Sequence, residues 1–330
     1  RFADGSTWFI GSATDASTLS VAAPESFGFL SGQAAAPLKW QGANLFLNAL
    51  SPLDLAGGSI SLEGGLLVTP GGAITLRSPG AVTIAPGTAV IAGYAGSTAG
   101  SIAVDAASLT IDGGGLGGTA GLGVLLGGTA TGGAIDIRLS GALQLLNGGG
   151  ITSENNSFLD AAPVSVQAAS LTVRRDSGAQ TYLTSTSSDF GRAASLQVKL
   201  GGALTMVDGT VGSTSTGVGA AGNVSVTASS ALLDGRGFGD TQLASAGDAF
   251  GAAGRVDLSL SGSLTLRDGA YIRSRGLGLA PSAPMTISAD RIDIDGGAAG
   301  DGGIVSVSNN AARSADLSIT TTGAISITSG

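Results

Sequence analysis

The sequence predicts an all-β fold, a right-handed parallel β-helix with about three short strands in each coil. Three observations predict it: short runs of alternating apolar and polar residues, turn residues between the runs, and recurrence of the unit every 28–33 residues or so. Strands this short cannot bury their own apolar face, so successive units must stack on one another. The right hand is expected from the general preference of parallel crossover connections.

The stretch from Gly254 to Ser274 shows one complete unit. Its three runs are separated by a Ser-Gly corner and an Asp-Gly corner, both typical turn dipeptides. Alternate residues of each run point to one side and form the predicted core: Val256, Leu258 and Leu260, then Leu264 and Leu266, then Ile272 and Ser274.

The register of the coils follows from the first inward residue of each unit. Its successive intervals are 33, 29, 32, 28, 32, 29 and 32 residues, for Ile102, Ile135, Val164, Leu196, Val224, Val256, Met285 and Leu317. The third run repeats the pattern, with an apolar residue two positions before a Ser: Ile151, Leu183, Val211, Leu243, Ile272 and Ile304, before Ser153, Ser185, Ser213, Ser245, Ser274 and Ser306. Because long and short intervals alternate, the full repeat is a pair of coils of about 61 residues.

Two regions are predicted along the chain. Residues 1–56 hold both Trp and five of the nine Phe, and we expect them to be the end of a secretion-type domain and a cap over the open sheet edge. An aromatic ligand-binding cluster is the alternative for this part. Residues 57–330 are predicted to be parallel β-helix repeats, and the uncharged run Gly113–Ile135 is too rich in Gly and Thr for a membrane helix.

Composition excludes several classes of function. The chain has no Cys and no His, which excludes Ser-His and Cys-His catalysis and His-metal sites. A net charge of −8 with scattered Arg argues against nucleic acid. We predict no catalytic, cofactor-binding or metal-binding residue, no cofactor, and no enzymatic activity.

Stacking turns each position of the coil into a column along the axis, and three columns need an interpretation. The inner Ser column is either a hydroxyl ladder or simply the end of the third strand. An outward Thr column on the second strand (Thr110, Thr172, Thr205 and Thr265) reflects β-propensity rather than ice binding. The corner column Asp112, Asn147, Asp176, Asp208, Asp234, Asp268 and Asp295 predicts Asx or Asp-Gly turns, with a calcium column as the alternative.

A carboxylate-based enzyme would need several acidic residues on neighbouring coils of one face. The outward column of the first strand places its two aspartates, Asp136 and Asp257, four coils apart. The local group Asp290, Arg291, Asp293 and Asp295 has the pattern of surface charge and a turn. A carbohydrate-active lyase or glycosidase therefore remains only the alternative interpretation.

The repeats resemble the filamentous haemagglutinin family, the exoproteins of bacterial two-partner secretion. The phrases that carry the resemblance are GNVSV at 222–226, GRVDL at 254–258 and LTLRDGAYIRS at 264–274. The start is similar to the closing part of that family's secretion domain, in RFADG at 1–5, LSVAAP at 19–24, FGFL at 27–30 and LEGG at 62–65. The family's Asn-Pro-Asn-Gly signature is not in this chain, so we expect it to begin part-way through that domain.

The resemblance implies a secreted or cell-surface adhesin that leaves the cell through an outer-membrane β-barrel transporter. It implies roles in adhesion, aggregation or biofilm, with a host or neighbouring cell-surface glycan or protein as partner. We expect this segment to be scaffold, with binding in the variable loops at 154–162, 186–192, 214–221, 246–253 and 275–283. A stalk of a contact-dependent toxin is the further alternative.

Overall fold

The protein is a parallel β-solenoid, as seen in a computed structural model. The structure describes residues 35–93, 100–115, 119–128, 133–236, 241–277, 280–297, 302–309 and 314–328. Within these ranges the chain forms strands, turns and bends but no helix. The all-β β-helical fold predicted from the sequence is therefore confirmed.

A 19-stranded sheet contains the first and second strands of the coils. β6 and β8 are longer, and each spans both the first-strand and the second-strand position of its coil. β6 pairs with both β3 and β4, and β8 pairs with both β10 and β11. The members are β1 (Leu38–Gln41), β3 (Leu53–Ala56), β4 (Ile60–Glu63), β6 (Ile74–Ile84), β8 (Ile102–Asp112), β10 (Ile135–Leu139), β11 (Ala142–Leu146), β13 (Val164–Ala168), β14 (Ser170–Arg174), β16 (Leu196–Leu200), β17 (Ala203–Val207), β19 (Val224–Ala228), β20 (Ser230–Asp234), β22 (Val256–Leu260), β23 (Ser263–Arg267), β25 (Met285–Ala289), β26 (Arg291–Asp295), β28 (Leu317–Thr321) and β29 (Ile325–Thr328).

A 10-stranded sheet contains the third strands and closes the coil on its other side. Its members are β2 (Leu45–Phe46), β5 (Gly65–Thr69), β7 (Thr88–Ala92), β9 (Ala120–Gly128), β12 (Gly149–Ser157), β15 (Thr181–Ser187), β18 (Gly209–Ser215), β21 (Gln242–Gly247), β24 (Tyr271–Gly276) and β27 (Gly303–Ser308). Neighbouring strands in both sheets are parallel and lie about 4.8 Å apart along the axis.

The predicted register is confirmed pair by pair. Each first inward residue lies beside the next one of the column, from Ile102 against Ile135 to Met285 against Leu317. The third-strand column from Ile151 to Ile304 pairs in the same way. The alternating intervals therefore measure the length of chain in successive turns of one stack.

The core is a continuous file of inward Ile, Leu and Val that runs along the axis. Ile102, Ile135, Leu183 and Leu243 are fully buried, as are most of their counterparts. Each such side chain contributes about 1.5–3 kcal/mol relative to an exposed one. Because every side chain stacks on its equivalents one turn away, this burial holds adjacent turns together.

The sequence predicts that the repeats begin at Gly57. In the structure, strands before Gly57 already pair with strands of the next turn. β1 pairs with β4, and β3 pairs with β6. Trp40 packs partly buried against the core, and its Nε1 donates to Ala43 O at 3.0 Å, whereas Phe46 is exposed. Residues 1–34, with the other aromatic residues of the predicted cap and most phrases of the secretion-domain resemblance, lie outside the described residues.

Candidate binding ridge on the third-corner loops

The third strand runs further than the sequence suggests, and this moves the variable loops. β15, β18, β21 and β24 extend two residues into the predicted loop ranges, and β12 extends four. The loops that follow them, as far as the structure describes them, are residues 158–163, 188–195, 216–223, 248–255 and 277 with 280–284, which we call the third-corner loops. The extra strand was missed because its inward positions, such as Ser187 and Ser215, are polar and give no hydrophobic period.

The inner Ser column fixes these loops from inside the coil. In four turns the Ser hydroxyl accepts a hydrogen bond of 2.7 Å from the backbone N–H nine residues later: Ser185 from Ala194, Ser213 from Gly222, Ser245 from Gly254 and Ser274 from Ala283. All four Ser side chains are fully buried. Their main partner is thus the returning loop of their own turn, so the column is neither an axial ladder nor a simple strand end.

A second buried polar position, two residues later, holds the loop at its other end. Asn155 Nδ2 donates to Leu159 O at 2.5 Å, and Ser187 Oγ donates to Gly191 O at 2.5 Å. Ser215 Oγ donates to Gly219 O in the same way. The loops at 188–195 and 216–223 are therefore each tied to the interior at two points, which restricts their conformations before any partner binds.

The tips of the loops carry exposed apolar side chains in register. Phe158, Phe190, Val218 and Phe250 are 70%, 55%, 49% and 61% exposed, and we call them the apolar ladder. Backbone hydrogen bonds join the loops near these residues, from Val218 N to Asp189 O at 3.0 Å and from Phe250 N to Gly217 O at 3.2 Å. Exposed apolar groups that form a contiguous patch usually mark an interaction surface.

The first two rings of the ladder cover each other. The centroids of Phe158 and Phe190 are 5.0 Å apart, and their planes differ by 14°. Nearly parallel rings at this distance must overlap face to face, since side-by-side rings would lie further apart. One face of each ring is consequently occupied by the other, and the pair forms a narrow ridge.

Six of the seven residues of the corner column, all but Asp176, form two alternating kinds of turn, which confirms the structural interpretation of those six. Asn147, Asp208 and Asp268 have positive φ of 48°, 50° and 52°. In turns of the other kind, the carboxylate of Asp112, Asp234 or Asp295 accepts the backbone N–H two residues on, at 2.8–3.0 Å. Asx residues favour both conformations because they tolerate left-handed φ and bond to nearby backbone groups.

Arginines neutralise part of this acidic column. Arg267 donates through Nε and Nη2 to Asp234 Oδ2 at 3.0 and 2.8 Å. Arg174 contacts Asp176 at 2.8 Å and Arg236 reaches the same carboxylate at 3.1 Å. Hydrogen bonding from the Arg174 guanidinium holds the pKa of Asp176 below its ordinary value.

The other predicted columns lie where the sequence places them. Thr172 is flanked by Gln144 and Thr205 on the second strand, and Thr265 lies between Leu232 and Asp293. Among the described residues no group of three or more His, Cys, Asp and Glu side chains is placed to hold a metal ion. In the same part of the chain, no helix is long and apolar enough to cross a membrane.

No family model, no curated protein and no solved structure matches this chain. The fold is established by the strand pairing itself. The resemblance to the filamentous haemagglutinin family rests on the sequence phrases quoted above, together with a β-helical scaffold that agrees with it.

The sequence predicted binding in the variable loops but did not predict the apolar ladder. A signal for it was present, because Phe158, Phe190, Val218 and Phe250 recur at intervals of 32, 28 and 32 residues. These are the intervals of the core columns. Exposed apolar residues that recur at the spacing of the core residues therefore indicate a column on the surface of the coil.

Proposed function

We propose that this chain is the β-helical scaffold of a secreted or cell-surface adhesin of the filamentous haemagglutinin kind. The bacterial cell would export it through the outer-membrane β-barrel transporter of a two-partner secretion pair. The observation that carries the adhesive role is the apolar ladder, two of whose loops, 188–195 and 216–223, are tied to the coil interior at two points each.

The ladder suits contact with a protein on a host or neighbouring cell. Its loops are already ordered, so less conformational entropy is lost on binding than with free loops. Phe158 and Phe190 cover each other's faces, which leaves ring edges for an apolar groove on the partner. Aromatic residues of this kind commonly anchor protein interfaces.

The adhesive role is tested with protein-coated beads added to epithelial cells and to bacteria. The triple variant Phe158→Ser, Phe190→Ser and Phe250→Ser should lose most bead attachment, because it removes the ring edges of the ladder. Phe46→Ser is the matched control, since Phe46 is also 61% exposed but lies on β2. Attachment by the triple variant equal to that of the unchanged protein would contradict the role of the ladder.

Export is tested separately in the producing bacterium. Protease added to intact cells should cleave the protein at the surface, or the protein should accumulate in the medium. A protein found only inside intact, protease-treated cells would contradict the exported location. Neither result depends on the bead assay.

A further inference from the structure

A depression of about 280 Å³ lies on the outer face of the 10-stranded sheet, away from the third-corner loops. Leu66 and Ile91 line one end of it, and Tyr182 lines the other. The column between these ends reads Leu66, Ala89, Gly121, Gly150 and Tyr182, one residue from each turn. The space exists because consecutive turns lack a side chain where β5 and β15 carry large ones.

Tyr182 forms an aromatic floor at its end of the depression. A Cβ atom at Gly150 would lie 2.3 and 2.4 Å from two carbons of the Tyr182 ring, so the ring lies directly over Gly150 of the preceding turn. This contact covers part of the ring with backbone. The side chain remains partly exposed and lines the depression.

Polar side chains follow Gly150 on the same strand. Thr152 lines the depression, and the half-buried Glu154 follows it on β12. Asn156 Nδ2 donates to Glu154 Oε1 at 2.9 Å, which holds the carboxylate in place. Burial raises the pKa of Tyr182, and the charge of Glu154 adds to the effect.

We propose that this depression binds a pyranose ring of a neutral oligosaccharide. A pyranose has an apolar face of C–H groups that packs on the negative face of an aromatic ring. Its hydroxyls lie at the rim, where Thr152 provides a hydrogen-bonding partner. Mostly apolar concave sites with a few placed polar groups are typical small-ligand sites, and the carboxylate of Glu154 disfavours acidic sugars.

Phe158 and Phe190 of the apolar ladder offer less of this chemistry, because each ring covers one face of the other. Tyr271 stands in the same outward column as Tyr182, three turns further on. Its ring has the guanidinium of Arg273 at 5.7 Å from the centroid. Tyr182 is thus the tyrosine of this column that borders the depression, and Tyr271 is its natural control.

The test is saturation-transfer difference NMR of the intact chain with maltohexaose, cellohexaose and N-acetylchitohexaose. At least one probe should receive saturation, with a Kd on the order of 1 mM as expected for a single bound sugar ring. Tyr182→Ala should weaken that binding about tenfold, whereas Tyr271→Ala should leave it unchanged. Circular dichroism establishes that each variant is folded.

A second variant blocks the depression without touching Tyr182. A Cβ at Gly123 would lie 3.4 Å from Thr152 Cγ2, an ordinary contact, and Gly123 has no positive φ. Gly123→Val therefore fits the strand, fills the space and should abolish saturation transfer, which keeps the proposal testable if Tyr182→Ala does not fold. Transfer to none of the probes, or equal transfer to the unchanged protein and to folded Tyr182→Ala or Gly123→Val, would overturn it.

This site does not rest on the proposed function. Its residues lie on β5, β7, β9, β12 and β15 and their flanks rather than in the third-corner loops. Sugar binding by a protein whose beads do not attach to cells would leave the sugar site standing and reject the adhesive ladder. Bead attachment that depends on the apolar ladder, by a protein that binds none of the sugars, would support the ladder and reject the sugar site.

Discussion

Replacing Ser213 by Ala should destabilise the coil, while the same replacement at Ser153 should not. Both hydroxyls are fully buried in the same inner column. Ser213 Oγ accepts a hydrogen bond of 2.7 Å from Gly222 N, whereas Ser153 Oγ has no hydrogen-bond partner. The pair therefore separates the effect of the hydrogen bond from the effect of the position.

The expected changes in unfolding free energy depend on whether each substitution leaves a buried backbone N–H without an acceptor. Ser213→Ala leaves the buried N–H of Gly222 without an acceptor, which costs about 1–3 kcal/mol of unfolding free energy. Ser153→Ala removes a buried hydroxyl that makes no bond, so it should be neutral or stabilising, by about 1 kcal/mol. In each case the volume that is lost is one oxygen atom.

Urea unfolding followed by circular dichroism measures the two free energies. Because solenoid turns can open separately, hydrogen exchange read by mass spectrometry should accompany it. The peptide that contains Gly222 should exchange faster in Ser213→Ala. If Ser153→Ala cost as much stability as Ser213→Ala, the reasoning would be refuted, and lost packing rather than the loop hydrogen bond would be the cause.

Two further predictions concern the corner column. The pKa of Asp176 is lowered in the folded protein by the hydrogen bond from Arg174, so this pair contributes stability above the unfolded pKa of about 3.8 and loses it as pH falls through the folded pKa. The melting temperature of Asp176→Asn should accordingly lie below that of the unchanged protein at neutral pH and converge with it in strong acid, and a constant gap would contradict the assignment. Millimolar calcium should leave the melting temperature unchanged, because Asp112 and Asp295 bond to backbone N–H groups and Asp234 also pairs with Arg267; a rise that a chelator reverses would instead establish a calcium column.

The core was predictable because its residues are apolar and its period is short. Val256, Leu258 and Leu260 alternate with polar residues, and the same alternation recurs in every later coil. From such runs both the pairing register and the paired repeat follow without coordinates. Hydrophobic burial is local enough for sequence spacing to reveal it.

The buried polar side chains and the depression beside Tyr182 depend on contacts made outside a single strand, which the alternation within one strand does not reveal. Ser187 and Asn155 are buried because the loop backbone supplies their partners, and nothing in an isolated serine indicates such a partner. The depression beside Tyr182 likewise depends on Gly121 and Gly150, which pair with each other in successive turns. These two glycines are 29 positions apart in the chain, so the space that they leave forms only when the turns stack.

The direction of the strand hydrogen bonds gives the coil a distinct response to tension. These bonds run along the solenoid axis, from each turn to the next. A pull at one end of the rod therefore loads the bonds of the outermost turn first, and turns detach in sequence rather than all together. A released turn of 29 residues yields about 100 Å of extended chain. Stretching would thus lengthen the rod in discrete steps, and one turn could be sacrificed while those behind it keep their loops and surface columns intact.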